Sequence, residues 1–167
     1  KSSLYNIIQH LKQNSKEGNF TQKDNLHLTI AFIGESNAIN TIQKAMNEAV
    51  SQPTVKSFTL SIEGLGKFNR REGDIFWAGI QNNPLLSQLN NAIVQELRNN
   101  GFTIDDREFK PHLTLGRKVV LHSNFDVKEF EKTNPTMEME VNRISLMKSE
   151  RIGGILVYTE IYHCDLN

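Results

Sequence analysis

A chain of 167 residues is long enough for one domain with a real core, two-lobed or not. With 38% hydrophobic and 23% charged residues it has the composition of an ordinary soluble globular protein, and no run approaches the apolar length of a membrane span. Lysine plus arginine balance aspartate plus glutamate at 19 against 19; a coat for long duplex needs a basic excess to drive counterion release, so the balance favours a local site instead.

Leu4, Ile7, Ile8 and Leu11 recur at helical spacing, which predicts an amphipathic helix over 2–14. A polar loop is expected from Ser15 to Asn25. His27 to Ile33 reads as a strand, with Leu28, Ile30 and Phe32 on one face and His27, Thr29 and Ala31 on the other, ended by Gly34. Ser36 to about Ser51 predicts a second helix, striped by Ile39, Ile42, Ala45, Met46 and Ala49, with Ser36 or Asn37 as cap and Pro53 as stop. Phe58, Leu60 and Ile62 alternate in a strand ending at Gly64-Leu65-Gly66. A basic turn, Lys67 to Glu72, leads to a strand over 75–80. Pro84 opens a third helix and Gly101 closes it. A strand over 110–120, a helical turn from Phe125 to Phe130, and two antiparallel strands, 137–148 and 155–163, joined around Gly153-Gly154, complete the chain. The mixed order argues for α+β architecture, with antiparallel sheet and helices packed outside, and shows no domain linker.

His27-Leu28-Thr29-Ile30 and His112-Leu113-Thr114-Leu115 are nearly the same tetrapeptide, 85 residues apart. Each follows a loop after a helix and begins a predicted strand, the mark of an internal duplication. Residues i and i+2 of a strand share a face, so each His projects with its Thr while the leucines bury behind. Two imidazoles and two hydroxyls around one point suit phosphoryl chemistry without a metal. One histidine takes a proton from water while the other gives one to the leaving oxygen. The Thr29 and Thr114 hydroxyls can hold phosphate oxygens. Arg117, near the end of the second strand, offers a planar fork for another; the first copy has Phe32 at that offset, so the halves are not equivalent.

With these residues, and with Asn25 to Gly34, Gly64 to Gly79 and Phe109 to Arg117 around them, the chain resembles the two-histidine (2H) phosphoesterases. Within them it is similar to the RNA 2′,3′-cyclic phosphodiesterases, also called 2′-5′ RNA ligases. The resemblance implies a bilobal α+β fold of duplicated antiparallel sheets with outer helices and a central cleft, one domain over 1–167. It implies metal-independent hydrolysis of RNA 2′,3′-cyclic phosphate ends to 2′-phosphates, with His27 as acid and His112 as base. Reversible 2′-5′ ligation, or cleavage of 2′-5′ oligonucleotides, is the alternative with the same histidines. A non-catalytic RNA-end binding module is the alternative of another class, against which both His and both Thr argue. Family members usually begin with an apolar strand before the first helix; this sequence starts at the helix.

Phe32 and Trp77 are candidates to stack on a base; Phe76 and Phe109 share the ambiguity between stacking and core. Lys67, Arg70 and Arg71 sit where an RNA backbone can be met or as a solvated turn. His163, Cys164 and Asp165 resemble metal ligands only superficially, because adjacent strand residues point apart. No metal or cofactor is expected. The expected partners are RNA ends or nucleoside 2′,3′-cyclic phosphates, with no membrane and a monomeric protein. Cys164 is the only cysteine, so no internal disulfide forms and a reduced, cytoplasmic setting is expected.

Overall fold

The apolar stripe of the first segment folds as α1 (Ser2–Gln13), with Leu4, Ile7, Ile8 and Leu11 buried, in a computed structural model that describes all residues from Lys1 to Asn167. The chain divides into two compact units, each assembled from three separate segments: 1–28, 61–81 and 111–138, and then 29–60, 82–110 and 139–167. Helices and antiparallel strands make the α+β class that the patterning predicts. One sheet has five strands in the order β1 (Ser15–Phe20), β4 (His112–Leu121), β3 (Asp74–Ile80), β2 (Phe58–Phe68), β5 (Met137–Val141); the other is the hairpin of β6 (Arg143–Ile152) and β7 (Ile155–Asp165).

In the first unit, β4 is flanked by β1 and β3, and β3 by the part of β2 from Ser61 onward, all antiparallel. Helix α1 covers one face. Its four buried residues meet Ile62, Phe76, Ala78, Leu113, Leu115 and Val119 in a single cluster. Phe76 is therefore core, and its neighbour Trp77 takes the other face. Burial of this kind contributes about 25 cal/mol per Å² of apolar surface removed from water. A short α4 (Val127–Lys132) is capped by Asp126, whose Oδ1 accepts from the amides of Lys128 and Glu129.

In the second unit, α2 (Ile39–Val50) and α3 (Pro84–Asn99) pack their apolar faces together. Asn83 caps α3: its Oδ1 accepts from the amides of Leu85 and Leu86 (2.9 and 3.3 Å), and Pro84 follows at the first turn. Gly101, with φ +92°, closes the helix. The hairpin β6 (Arg143–Ile152) and β7 (Ile155–Asp165) turns at Gly153-Gly154 and is tied to α2, where the Tyr162 hydroxyl and the Cys164 thiol donate to Asn47 Oδ1 (2.9 and 3.1 Å). The run from Met137 is split, Met137–Val141 forming β5.

Three expectations are corrected. The segment 15–25 is no simple loop: it contains β1 and a 3₁₀ turn, Lys23–Asn25. The predicted strand over 27–33 shrinks to one antiparallel bridge, Leu28 with Leu113, because no partner strand lies alongside the residues that follow. Helix α2 begins at Ile39, not Ser36; the Ser36 hydroxyl accepts from the Ala38 amide just ahead of it. No helix is long and apolar enough to cross a membrane.

Burial pushes the Cys164 thiol above its ordinary pKa, so less thiolate is present at any given alkaline pH than for a free cysteine. Native protein at pH 8.5 is expected to react with iodoacetamide at least about tenfold more slowly than protein unfolded in guanidinium. Equal rates, followed by mass spectrometry, would refute the buried placement.

Candidate active site

The two copies of the motif meet along one edge of β4. On its other edge β3 is already seated, Trp77 pairing with Thr114 and Gly79 with His112. β1 runs down the free edge until Phe20 faces Gly116, and the Thr21 amide donates to the Leu115 carbonyl (2.9 Å). The chain then leaves through the Lys23–Asn25 turn, buries Leu26, and returns to the same edge at Leu28, opposite Leu113. The first motif thus continues the line of β1 after a short excursion. An antiparallel bridge at Leu28–Leu113 sets His27 beside Thr114. Leu113 is buried, so His27, Thr114 and His112 stand on the opposite face from the core. Both histidines belong to one unit, not one to each as the duplication suggests.

The His27 ring is exposed and oriented by the excursion itself. Its Nδ1 lies 2.7 Å from the carbonyl of Asn25. A carbonyl only accepts, so Nδ1 must carry the proton. Nε2 is then the nitrogen that exchanges a proton.

Arg117 is three residues beyond Thr114, and in a regular strand it would face the core. A β-bulge prevents this. Trp77 pairs with Thr114 but Phe76 with Gly116, so two residues of β4 answer one of β3. Leu115 and Gly116 are both buried. A Cβ on Gly116 would come within 3.0 Å of Phe20 Cδ1 and Val119 Cγ2, both on the core side. Alternation resumes one step late, and Arg117 emerges exposed on the side of Thr114, with no carboxylate partner. Thr21 clasps the bulge, its hydroxyl donating to the Thr114 carbonyl (2.9 Å).

The His112 ring rests on an aromatic shelf. Phe68 meets it edge to face at 5.3 Å between centroids, and Trp77 lies tilted at 6.3 Å. Trp77 in turn lies across Gly66, where an added Cβ would fall 2.1 Å from Cη2. The indole N–H is buried and has no partner. Gly64-Leu65-Gly66 is thus the interior of β2, not a terminal bend. Glu131 holds it, accepting from the Leu65 amide (2.6 Å).

Thr29 and Phe32 fall in the second unit, on the irregular segment after Leu28; Phe32 is 81% exposed. Phe109 is half-buried in that unit as well. His10 stacks on Phe130 at 4.3 Å, and His122 is exposed. His163 is exposed beside Glu160 while Cys164 is buried; no three metal-ligating side chains cluster anywhere. Sequence reasoning missed Thr21, Asn25, Phe68 and Gly116. None of the four carried a local signal that marks its role.

Residues 1–153 match the family model described as the 2′-5′ RNA ligase superfamily. A curated relative from Thermotoga maritima, named RNA 2′,3′-cyclic phosphodiesterase, is 26% identical over 98% of this chain and 88% of its own. One of the same name from Archaeoglobus fulgidus is 32% identical over 77% of this chain and 72% of its own. Among solved structures, Escherichia coli LigT complexed with 3′-AMP superposes with a TM-score of 0.75 at 26% identity, covering 99% of this chain and 91% of that one.

Gly116→Ala is expected to cost about 1–3 kcal/mol, because Phe20 and Val119 must give way in a filled core. Gly66→Ala must displace Trp77, the only tryptophan, and change its fluorescence emission. Urea unfolding and emission spectra that match the parent would refute both close approaches.

Proposed function

The chain belongs to the 2′-5′ RNA ligase superfamily, and from that premise we propose that it hydrolyses RNA 2′,3′-cyclic phosphate ends to 2′-phosphomonoesters by two-histidine acid–base catalysis. The observation that carries this reading is the bridge at Leu28–Leu113, which sets His27, Thr114 and His112 on one open face of β4. The curated relatives' names supply the substrate class.

In the forward step His112 takes a proton from water as the water oxygen bonds to phosphorus. The P–O3′ bond breaks, and His27 Nε2 gives its proton to O3′. The products are a 2′-phosphate and a free 3′-hydroxyl; exchange with solvent restores both rings. Negative charge on the phosphoryl oxygens rises as the water adds. Arg117, brought outward by the bulge, and the Thr114 hydroxyl are donors to that charge, worth most where they are already in place. Thr29 is assigned the same role, and Phe32 the stacking of the terminal base, from their places in the first motif alone. Trp77, with its ring spent on Gly66 and its N–H out of water, serves as support for His112 more than as a free stacking surface. The same steps with a 5′-hydroxyl in place of water give a 2′-5′ linkage, the reaction in the family's description.

His27→Ala and His112→Ala are each expected to lower kcat by about 10²–10⁴ on a nucleoside 2′,3′-cyclic phosphate, with no effect of EDTA on the parent. The parent should show a bell-shaped pH profile, since one ring must be neutral and the other charged, and each variant should lose one limb. A phosphodiester with a leaving group that needs no proton should rescue His27→Ala and not His112→Ala. Rescue of the other variant reverses the roles; full activity in either variant, or its loss in EDTA, sinks the mechanism.

A further inference from the structure

The turn between β2 and β3 holds one arginine in a setting that the hydrolysis of the cyclic phosphate does not use. The Arg70 guanidinium carbon lies 5.7 Å over the face of the Phe68 ring, a distance at which a cation is attracted to the ring's electrons. The same Phe68 ring meets His112 at 5.3 Å and Trp77 at 5.5 Å. Arg70 and the His112 imidazole thus rest on the same aromatic ring.

The other charges nearby are largely neutralised. Lys67 pairs with Asp74 (3.1 Å) and Lys118 with Glu72 (3.6 Å). Arg70 has no carboxylate; its Nη1 donates only to the neighbouring Asn69 carbonyl (2.9 Å). The remaining N–H groups of the fork are unused.

The turn is also fixed in advance. Asp74 Oδ1 accepts from the Arg70 amide (3.2 Å) while Oδ2 holds Lys67. Gly73 donates to the Arg70 carbonyl and, at φ +116°, lies so close to the Lys118 backbone that a Cβ would fall 2.6 Å from its carbonyl carbon. A planar cation held on an apolar ring, without a counter-ion, in a braced turn beside the catalytic ring is built to meet a second anion.

The nearest second anion on an RNA end is the next phosphate of the strand. We propose that Arg70 binds the phosphodiester on the 5′ side of the terminal nucleotide, so that the enzyme distinguishes an RNA end from a free nucleoside cyclic phosphate. This rests on the hydrolase reading above. Arg70 is a specificity residue: it takes no part in proton transfer and touches only the strand behind the reacting phosphate.

The test compares kcat/KM on a nucleoside 2′,3′-cyclic phosphate with that on a dinucleotide ending in the same group. The parent should favour the dinucleotide by about tenfold, the worth of one charge-assisted contact. Arg70→Ala should abolish that preference and make kcat/KM on the dinucleotide less sensitive to salt, as loss of one screened charge contact requires. Arg71→Ala, a neighbour with no ring beneath it, should keep the preference. Equal efficiency of the parent on both substrates, an unchanged ratio in Arg70→Ala, or an equal loss in Arg71→Ala overturns the proposal. Failure of the parent to turn over either substrate sinks hydrolysis and this inference with it; turnover of both at one rate sinks the inference alone.

Discussion

A single antiparallel bridge, Leu28 to Leu113, decides whether the two copies of the motif meet at all. β4 has two edges, and β3 occupies one of them along its length. The other is shared in sequence by β1 and by the first motif, so the chain must leave the edge and come back. Leu26 fixes the return by burying in the core beneath α1, and the Asn25 carbonyl that closes the excursion also holds the His27 ring. The same few residues therefore supply packing, register and the orientation of an imidazole. Lengthening or shortening the excursion by one residue would reverse the faces of Leu28 and His27, since the side-chain period of a strand is two.

The bulge at Leu115-Gly116 does for Arg117 what the bridge does for His27. Without it, the arginine would be buried against α1, at the cost of an unpaired charge in the core. With it, the guanidinium reaches the open face while Leu115 stays in the cluster, and a second register shift at Lys118 (φ 53°) returns Val119 to it. Gly116 is required by the close approach of Phe20, and Thr21 satisfies the carbonyls that the irregular ladder exposes. Two irregularities in the β3–β4 ladder, one at Leu115-Gly116 and one between Gly116 and Val119 where Lys118 takes φ 53°, thus set which side chains of β4 pack and which stay open.

The elements with local signals were legible in the sequence. The stripes of α1, α2 and α3, the Pro84 start and the Gly101 stop all depend on residues within a turn or two of one another. So did the paired tetrapeptides, which singled out both histidines. What could not be read depends on distant neighbours. The 27–33 segment has strand composition, yet a strand exists only where another lies beside it, and past Leu28 none does. β1 is polar throughout its middle, Lys16 to Asn19, and is a strand only because β4 offers an edge. The bulge has no signature beyond one glycine among ten. The role of Phe68 is visible only when Gly66 is seen to make room for Trp77.

Two copies of one tetrapeptide end in different settings, and the difference bears on their chemistry. His112 opens β4, paired with Gly79 of β3, and its ring packs against Phe68 and Trp77. His27 precedes an isolated bridge, and its Nδ1 is held by the Asn25 carbonyl. That carbonyl holds Nδ1–H in both the neutral and the charged ring, so in the proposed mechanism the proton that moves is the one on Nε2. The imidazole need not turn over between giving a proton and regaining it. What the proposed cycle must preserve is which nitrogen is free to face a phosphate, and a hydrogen bond from Nδ1 to an acceptor-only oxygen preserves that in either state.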